Sequence, residues 1–112
     1  MPELQKVRFL ANAAVDKKAY DVVILDVQDI SAFTDYFMIC HGNTERQVQA
    51  IAHHLKGQQH DGLEVRGVEG EREGRWVLLD MYDIVIHVFH KDLRDFYGLE
   101  RLWGDAKRVE LA

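Results

Sequence analysis

Between Trp76 and His90 the chain reads WVLLDMYDIVIHVFH, which sets two carboxylates, Asp80 and Asp83, three residues apart and two histidines, His87 and His90, three residues apart. Carboxylates converging on one point could hold a divalent metal for phosphoryl transfer, and paired imidazoles could ligate zinc. The spacing opposes both readings. On a strand only residues two apart share a face, so groups three apart diverge, and a tight turn at 80–83 is what the acids would need to meet. The other reading of Asp80 and Asp83 is an exposed hairpin turn whose acceptor oxygens suit Arg or Lys of another protein. His87 lies among apolar residues and reads as a hydrogen-bonded, half-buried histidine, with a pH-sensitive contact as the second reading. From these groups no metal, no cofactor and no catalytic residue is expected.

Other titratable pairs meet the same test. His53 and His54 are neighbours on a helix and lie about 100° apart, and His53 with His60 shares a helical face without a third ligand. Cys40 beside His41 resembles a thiol with its base, but consecutive strand residues point to opposite faces, so Cys40 reads as buried and inert. The stretch HGNTERQ combines a strand end, a glycine break and a capped helix start, a place where backbone N–H groups can receive a phosphate. It lacks a lysine and a glycine-rich loop. Where nucleotidyltransferases carry a magnesium-binding D-x-D, this chain has Ala50, Ile51, Ala52, His53 and His54. The aromatic set divides in two. Phe96, Tyr97 and Trp103 stand at helical spacing and are expected in the core, whereas Trp76 follows a charged turn and Met81 and Tyr82 sit at a hairpin tip, so these are expected to be partly exposed. Exposed Trp, Tyr and Met flanked by acids is the composition of a protein-binding hot spot.

The elements that must position these groups follow from periodicity. Leu4, Val7, Ala11, Ala14 and Val15 recur at helical spacing and predict a helix over residues 3–18, with Lys17 and Lys18 suited to its C-terminus. YDVVILDV and DYFMICH read as two strands around the connection DISAFTD. The unbroken Val22, Val23, Ile24 and Leu25 suit a strand covered on both faces. Thr44 and Gln47 form a T-x-x-Q capping box, and Val48, Ile51, Ala52 and Leu55 give one apolar stripe, so a second helix is predicted to about residue 59. Leu63 and Val65 suggest a short strand, EGEREGR an exposed turn, and residues 76–79 and 84–89 a pair of strands joined as a hairpin. Leu93, Phe96, Tyr97, Leu99, Leu102 and Trp103 read as one or two short helical turns. This order gives an α/β fold, a mixed β-sheet packed with helices.

The 112 residues suit a single domain over residues 1–112, and 47% apolar residues suffice for one core. Nineteen acids against fourteen bases leave a net charge of −5, which opposes phosphate attraction and favours a basic protein partner over bare nucleic acid. A single cysteine excludes an internal disulfide and a C-x-x-C pair, so a reducing, cytoplasmic setting is the expectation. The N-terminal segment mixes charges into its apolar residues, unlike a signal peptide, and no run approaches a membrane span.

Three blocks, DISAFTDYFMICHGNTERQVQAIA, RWVLLDMYDIVIHVFH and RDFYGLERLWGDA, within residues 21–106, together resemble the ribosomal silencing factor family, also called Iojap. The resemblance implies a nucleotidyltransferase-like fold lacking the catalytic acids, in keeping with the missing D-x-D. It implies a translational repressor that binds the large ribosomal subunit through a basic ribosomal protein, protein fourteen, at the face that meets the small subunit, and blocks subunit association when nutrients are scarce. Free members are often homodimers. The family's W-[IVL]-L-x-D pattern falls on Trp76, Val77, Leu78, Leu79 and Asp80, its following acid on Asp83, and its V-H-[VI]-F on Ile86, His87, Val88 and Phe89. The partner contact is therefore expected to centre on Trp76, Leu78, Asp80, Met81, Tyr82, Asp83 and His87. Many members carry glycine before that second acid where this chain has Tyr82. Because tyrosine disfavours positive φ, a glycine-dependent turn is not expected here. The rival readings are a small metal-dependent nucleotidyltransferase using Gly42, Asn43, Asp80 and Asp83, and a purely structural homodimer or adaptor.

Overall fold

The computed structural model describes residues 2–58 and 63–112. The first helix, α1 (Glu3–Asp16), buries Val7, Leu10, Ala11, Ala13 and Ala14 along one side. It ends two residues before the predicted boundary. Lys18 takes φ +69°, and the Lys17 and Lys18 N–H groups donate back to carbonyls of the last turn, so both lysines lie in the turn beyond the helix. Strands β1 (Tyr20–Asp26) and β2 (Tyr36–Gly42) then pair antiparallel, with an irregularity between Tyr20 and Val23.

The second helix, α2 (Glu45–Lys56), starts as its sequence predicts. The Thr44 side chain accepts the Gln47 N–H at 3.0 Å and Gln47 Oε1 accepts the Asn43 N–H at 2.7 Å, a capping box reaching one residue further out than usual. Val48, Ile51, Ala52 and Leu55 form its buried stripe. The expected extension to residue 59, and His60 of the His53–His60 pair, lie outside the described residues.

The strand expected around Leu63 and Val65 forms slightly later, as β3 (Gly67–Glu69). Leu63 is instead a core residue and Val65 packs at its margin. The charged turn after β3 closes with the Gly74 N–H donating to Gly70 O at 3.1 Å. Gly70 is required there, because its φ is +79° and a Cβ would overlap the Trp76 carbonyl. Strands β4 (Trp76–Asp80) and β5 (Ile84–His90) make the predicted hairpin, followed by α3 (Lys91–Tyr97), α4 (Leu99–Leu102) and β6 (Lys107–Val109). The last strand was not expected: Lys107-Arg108-Val109 has no strand signature and is recruited by the free edge of β1. From α1, Arg8 Nε and Asn12 Nδ2 donate to the carbonyls of Glu110 and Leu111 and fasten the end of the chain.

The sheet runs β3-β4-β5-β2-β1-β6. Its central pair, β2 and β5, is parallel and the other pairs are antiparallel, which is the mixed α/β arrangement read from the sequence. Alternation sends Ile24, Met38, Cys40, Val77, Leu79, Ile86 and Val88 into the main core beneath α1 and α2. The opposite face, with Leu25, Ile39 and Phe89, is covered by α3 and α4 through Leu93, Leu99 and the following Trp103. In β1, Ile24 and Leu25 are buried as expected of a strand covered on both faces, while Val22 and Val23 are half-buried. No described helix is long and apolar enough to cross a membrane.

Candidate functional site

The β4–β5 hairpin closes with the Met81 N–H donating to Ile84 O at 2.8 Å, so Tyr82 and Asp83 are its two tip residues. Two-residue hairpins need positive φ at the tip to match the twist of their strands. Tyr82 supplies it, with φ +69°, contrary to the expectation drawn from its side chain. Such a conformation costs an ordinary residue about 1–2 kcal/mol. Local contacts oppose that cost: Asp80 Oδ1 accepts the Tyr82 N–H at 3.0 Å, and the Arg66 guanidinium lies 5.3 Å from the centre of the Tyr82 ring.

Asp80 and Asp83 serve different partners. Asp80 Oδ2 accepts from Arg66 Nη2 at 2.7 Å and Nε at 3.1 Å, which with the Tyr82 N–H engages both of its oxygens. Asp83 is exposed, and its backbone carbonyl accepts the N–H groups of Asp35 and Tyr36. Among the described residues no three His, Cys, Asp or Glu side chains gather closely enough to hold a metal ion. At the strand-to-helix turn, the Asn43 N–H is already bound by Gln47, and a Cβ on Gly42 would stand 3.1 Å from Val48 N. This glycine serves close packing.

Two residues of the expected contact set are inside. Met81 is buried, because alternation continues the inward series Val77, Leu79, Met81 to the end of the hairpin. His87 is also buried and cannot itself form a contact surface. Burial pushes its pKa down to about 4, leaving the ring neutral and Nδ1 free to accept. Trp76 Nε1–H donates to that nitrogen at 3.1 Å. The Trp76 ring also packs against Phe89 at 4.9 Å and Tyr97 at 4.7 Å between centroids. Trp76 and Leu78 are half-buried as expected of surface-reaching residues, and with Glu69 and Gly70 they line a groove of about 340 Å³.

Cys40 and His41 diverge as strand geometry requires. The Cys40 thiol lies in the core, where burial pushes its pKa up to about 12. His41 faces the other way, 2.9 Å from Arg94 Nη1, and burial followed by the Arg94 charge lowers its pKa. Arg94 is itself buried; it donates to Glu100 at 2.9 Å and to the Tyr20 carbonyl at 3.3 Å, tying α3 and α4 to the ends of β1 and β2. No sequence signal marks it, since arginines usually stay at the surface.

The aromatic residues after β5 correct a further expectation. Phe96 is 76% exposed and Tyr97 and Leu102 are exposed too, while Trp103 is half-buried against Phe37. The reason is length: α3 has seven residues and α4 has four, too few to turn an apolar stripe inward, and the buried residue of α3 is Arg94. Phe33 and Ile30, which no sequence pattern singles out, also lie exposed in the connection between β1 and β2.

Residues 2–112 match the model of a family described as ribosomal silencing factor during starvation. Over 112 residues the chain is 53% identical to the ribosomal silencing factor RsfS of Halalkalibacterium halodurans, covering 99% of this chain and 96% of that one. It is 51% identical to the RsfS of Bacillus subtilis over 93% of this chain and 89% of that one. A crystal structure from Bacillus halodurans, 53% identical, superposes with a TM-score of 0.81 over 95% of this chain and 98% of that one.

Proposed function

Because the chain belongs to the ribosomal silencing factor family, we propose that it represses translation by binding the large ribosomal subunit and excluding the small one. The partner is a basic ribosomal protein, protein fourteen, at the intersubunit face. The observation that carries this reading is the division of side chains at the β4–β5 hairpin. Val77, Leu79 and Met81 are committed to the core, while Trp76, Leu78 and Asp80 on the opposite side of β4, with Tyr82 and Asp83 at the tip, are left half-buried or exposed. Rigid aromatic and aliphatic anchors beside carboxylates suit a cationic protein surface.

Each residue has a physical role in this mechanism. Trp76 and Leu78 supply apolar area around a ready groove, and His87 holds the Trp76 indole in place from beneath. Asp83 is free to meet a cation. Asp80 is shared with Arg66, a partly exposed pair whose net contribution to stability is below about 1 kcal/mol, so it can exchange Arg66 for a cation of the partner. The net charge of −5 attracts a basic protein and repels the surrounding RNA. Repression then needs no chemistry. A bound domain excludes the opposing subunit by volume once its affinity competes with subunit association. When free, the protein is a homodimer in the cytoplasm under this reading.

The test is subunit joining. Purified protein is added to separated large and small subunits, and the mixture is resolved on a sucrose gradient. The expected result is protein travelling with the large subunit and a smaller joined peak; protein at the top of the gradient with normal joining would reject the reading.

A further inference from the structure

Residues 27–35 join β1 to β2 at the same end of the sheet as the hairpin tip, because β2 runs parallel to β5 and antiparallel to β1. The connection is held along its length. The Val27 N–H donates to Asp35 O at 2.9 Å, and the N–H groups of Ile30 and Ser31 donate to Val27 O. It is also joined sideways to the hairpin, since the Asp35 and Tyr36 N–H groups donate to Asp83 O at 2.9 and 3.1 Å. On this ordered support Phe33 is 92% exposed and Ile30 45% exposed.

A lone exposed apolar residue requires no explanation. Here Phe33 and Ile30 stand on a loop hydrogen-bonded to the tip that exposes Tyr82, so three apolar side chains reach solvent at one end of the sheet. An ordered loop also lowers the entropy lost when its side chains are immobilised by a partner. The setting selects the kind of partner. Burial first, and then the nearby carboxylates of Asp83, Glu3 and Asp26, raise the pKa of Asp35. Like charges gathered around Asp35, two residues from the exposed Phe33, repel an acidic partner and are relieved by a cationic one.

We propose that Phe33 is a second anchor of the docking surface, entering an apolar socket on the same basic ribosomal protein that the hairpin engages, with Asp35 and Asp83 at its rim. The inference rests on the function proposed above and extends its contact from the hairpin to the β1–β2 connection.

The experiment titrates purified large ribosomal subunits with the full chain carrying Phe33→Ser, beside the wild type, while thermal unfolding and the monomer–dimer equilibrium of each protein are recorded. Since Phe33 is almost wholly exposed, its melting temperature should stay unchanged. Subunit affinity should fall about 30-fold, the loss typical of an anchor residue. Wild-type affinity in the Phe33→Ser protein overturns the inference and leaves the hairpin contact standing. A change confined to the monomer–dimer equilibrium also overturns it, assigning Phe33 to a second copy of this chain. If the wild type itself fails to bind the subunit, the proposed function falls with it.

Discussion

On the side of α1 and α2, Ile24, Met38, Ile86 and Val88 are completely buried, whereas on the opposite side Phe37, Trp76, Leu78 and Val85 keep part of their surface in water. Both faces are built from the same strands by the same alternation. They differ in what covers them: α1 and α2 have 14 and 12 residues and present full apolar stripes, while α3 and α4 have seven and four and are tied down by the buried Arg94. One face is therefore closed throughout. The other is closed where α3 and α4 reach, around Leu25, Ile39 and Phe89, and the proposed docking surface lies on the part they leave open.

Substitutions can break this contrast directly. Ile86→Ala on the closed face should cost about 2–5 kcal/mol in urea unfolding, since a fully buried side chain leaves a cavity. Leu78→Ala, on the neighbouring strand β4 opposite His87 and facing the open side, should cost less than about 1 kcal/mol by the same measurement. Equal losses would mean that the open face is as much a part of the core as the closed one.

Arg94 tests how the open face is limited. Arg94→Ala leaves Glu100 and His41 without their buried partner and should cost about 3 kcal/mol, with α3 and α4 losing hydrogen-exchange protection before the sheet does. Uniform loss of protection would place Arg94 in the global core instead.

The next effect is set by pH. The folded-state pKa of His87, about 4, lies below its ordinary value of 6.5. The unfolded chain therefore binds a proton more readily, and the stability due to this residue is fully present above pH 6.5 and lost as pH falls towards 4. Its share of the decline between pH 7 and pH 5 should be about 2 kcal/mol. His87→Phe should flatten that part of the stability profile and shift the Trp76 indole N–H resonance, because the acceptor of its hydrogen bond is removed. An unmoved resonance would contradict the arrangement of the two rings.

Tyr82→Gly should have the smallest effect on stability. Relief of the positive φ is offset by the greater freedom of glycine in the unfolded chain and by loss of the Arg66 contact, so chemical denaturation should find a change within about 1 kcal/mol on the stabilising side. A loss larger than that would mean the ring contributes more to the hairpin than its exposure suggests.

Much of this contrast is legible in the sequence. The α2 stripe, the hairpin at 80–83 and the divergence of Cys40 from His41 all follow from spacing alone, because each depends on residues close together in the chain. The misses depend on distant partners. Strand β6 exists because β1 offers an unpaired edge, and Arg94 is buried because His41, Tyr20 and Glu100 converge on it. Tyr82 accepts positive φ because Asp80 and Arg66 hold it there. The exposure of Phe96 and Phe33 and the burial of Met81 and His87 depend on how far the covering helices reach and which way the alternation falls, which composition does not specify.

The most direct measurement of the central claim is large-subunit binding by the chain carrying Asp80→Lys with Asp83→Lys, read beside its unfolding curve. Asp83 is exposed, and the partly exposed Asp80–Arg66 pair contributes less than about 1 kcal/mol, so the variant should remain folded. The account predicts subunit binding at least about 30-fold weaker than wild type, as expected when paired charges are reversed at an anchor-bearing edge. A folded variant that binds as tightly as the wild type would contradict the account and move the docking surface away from the β4–β5 hairpin.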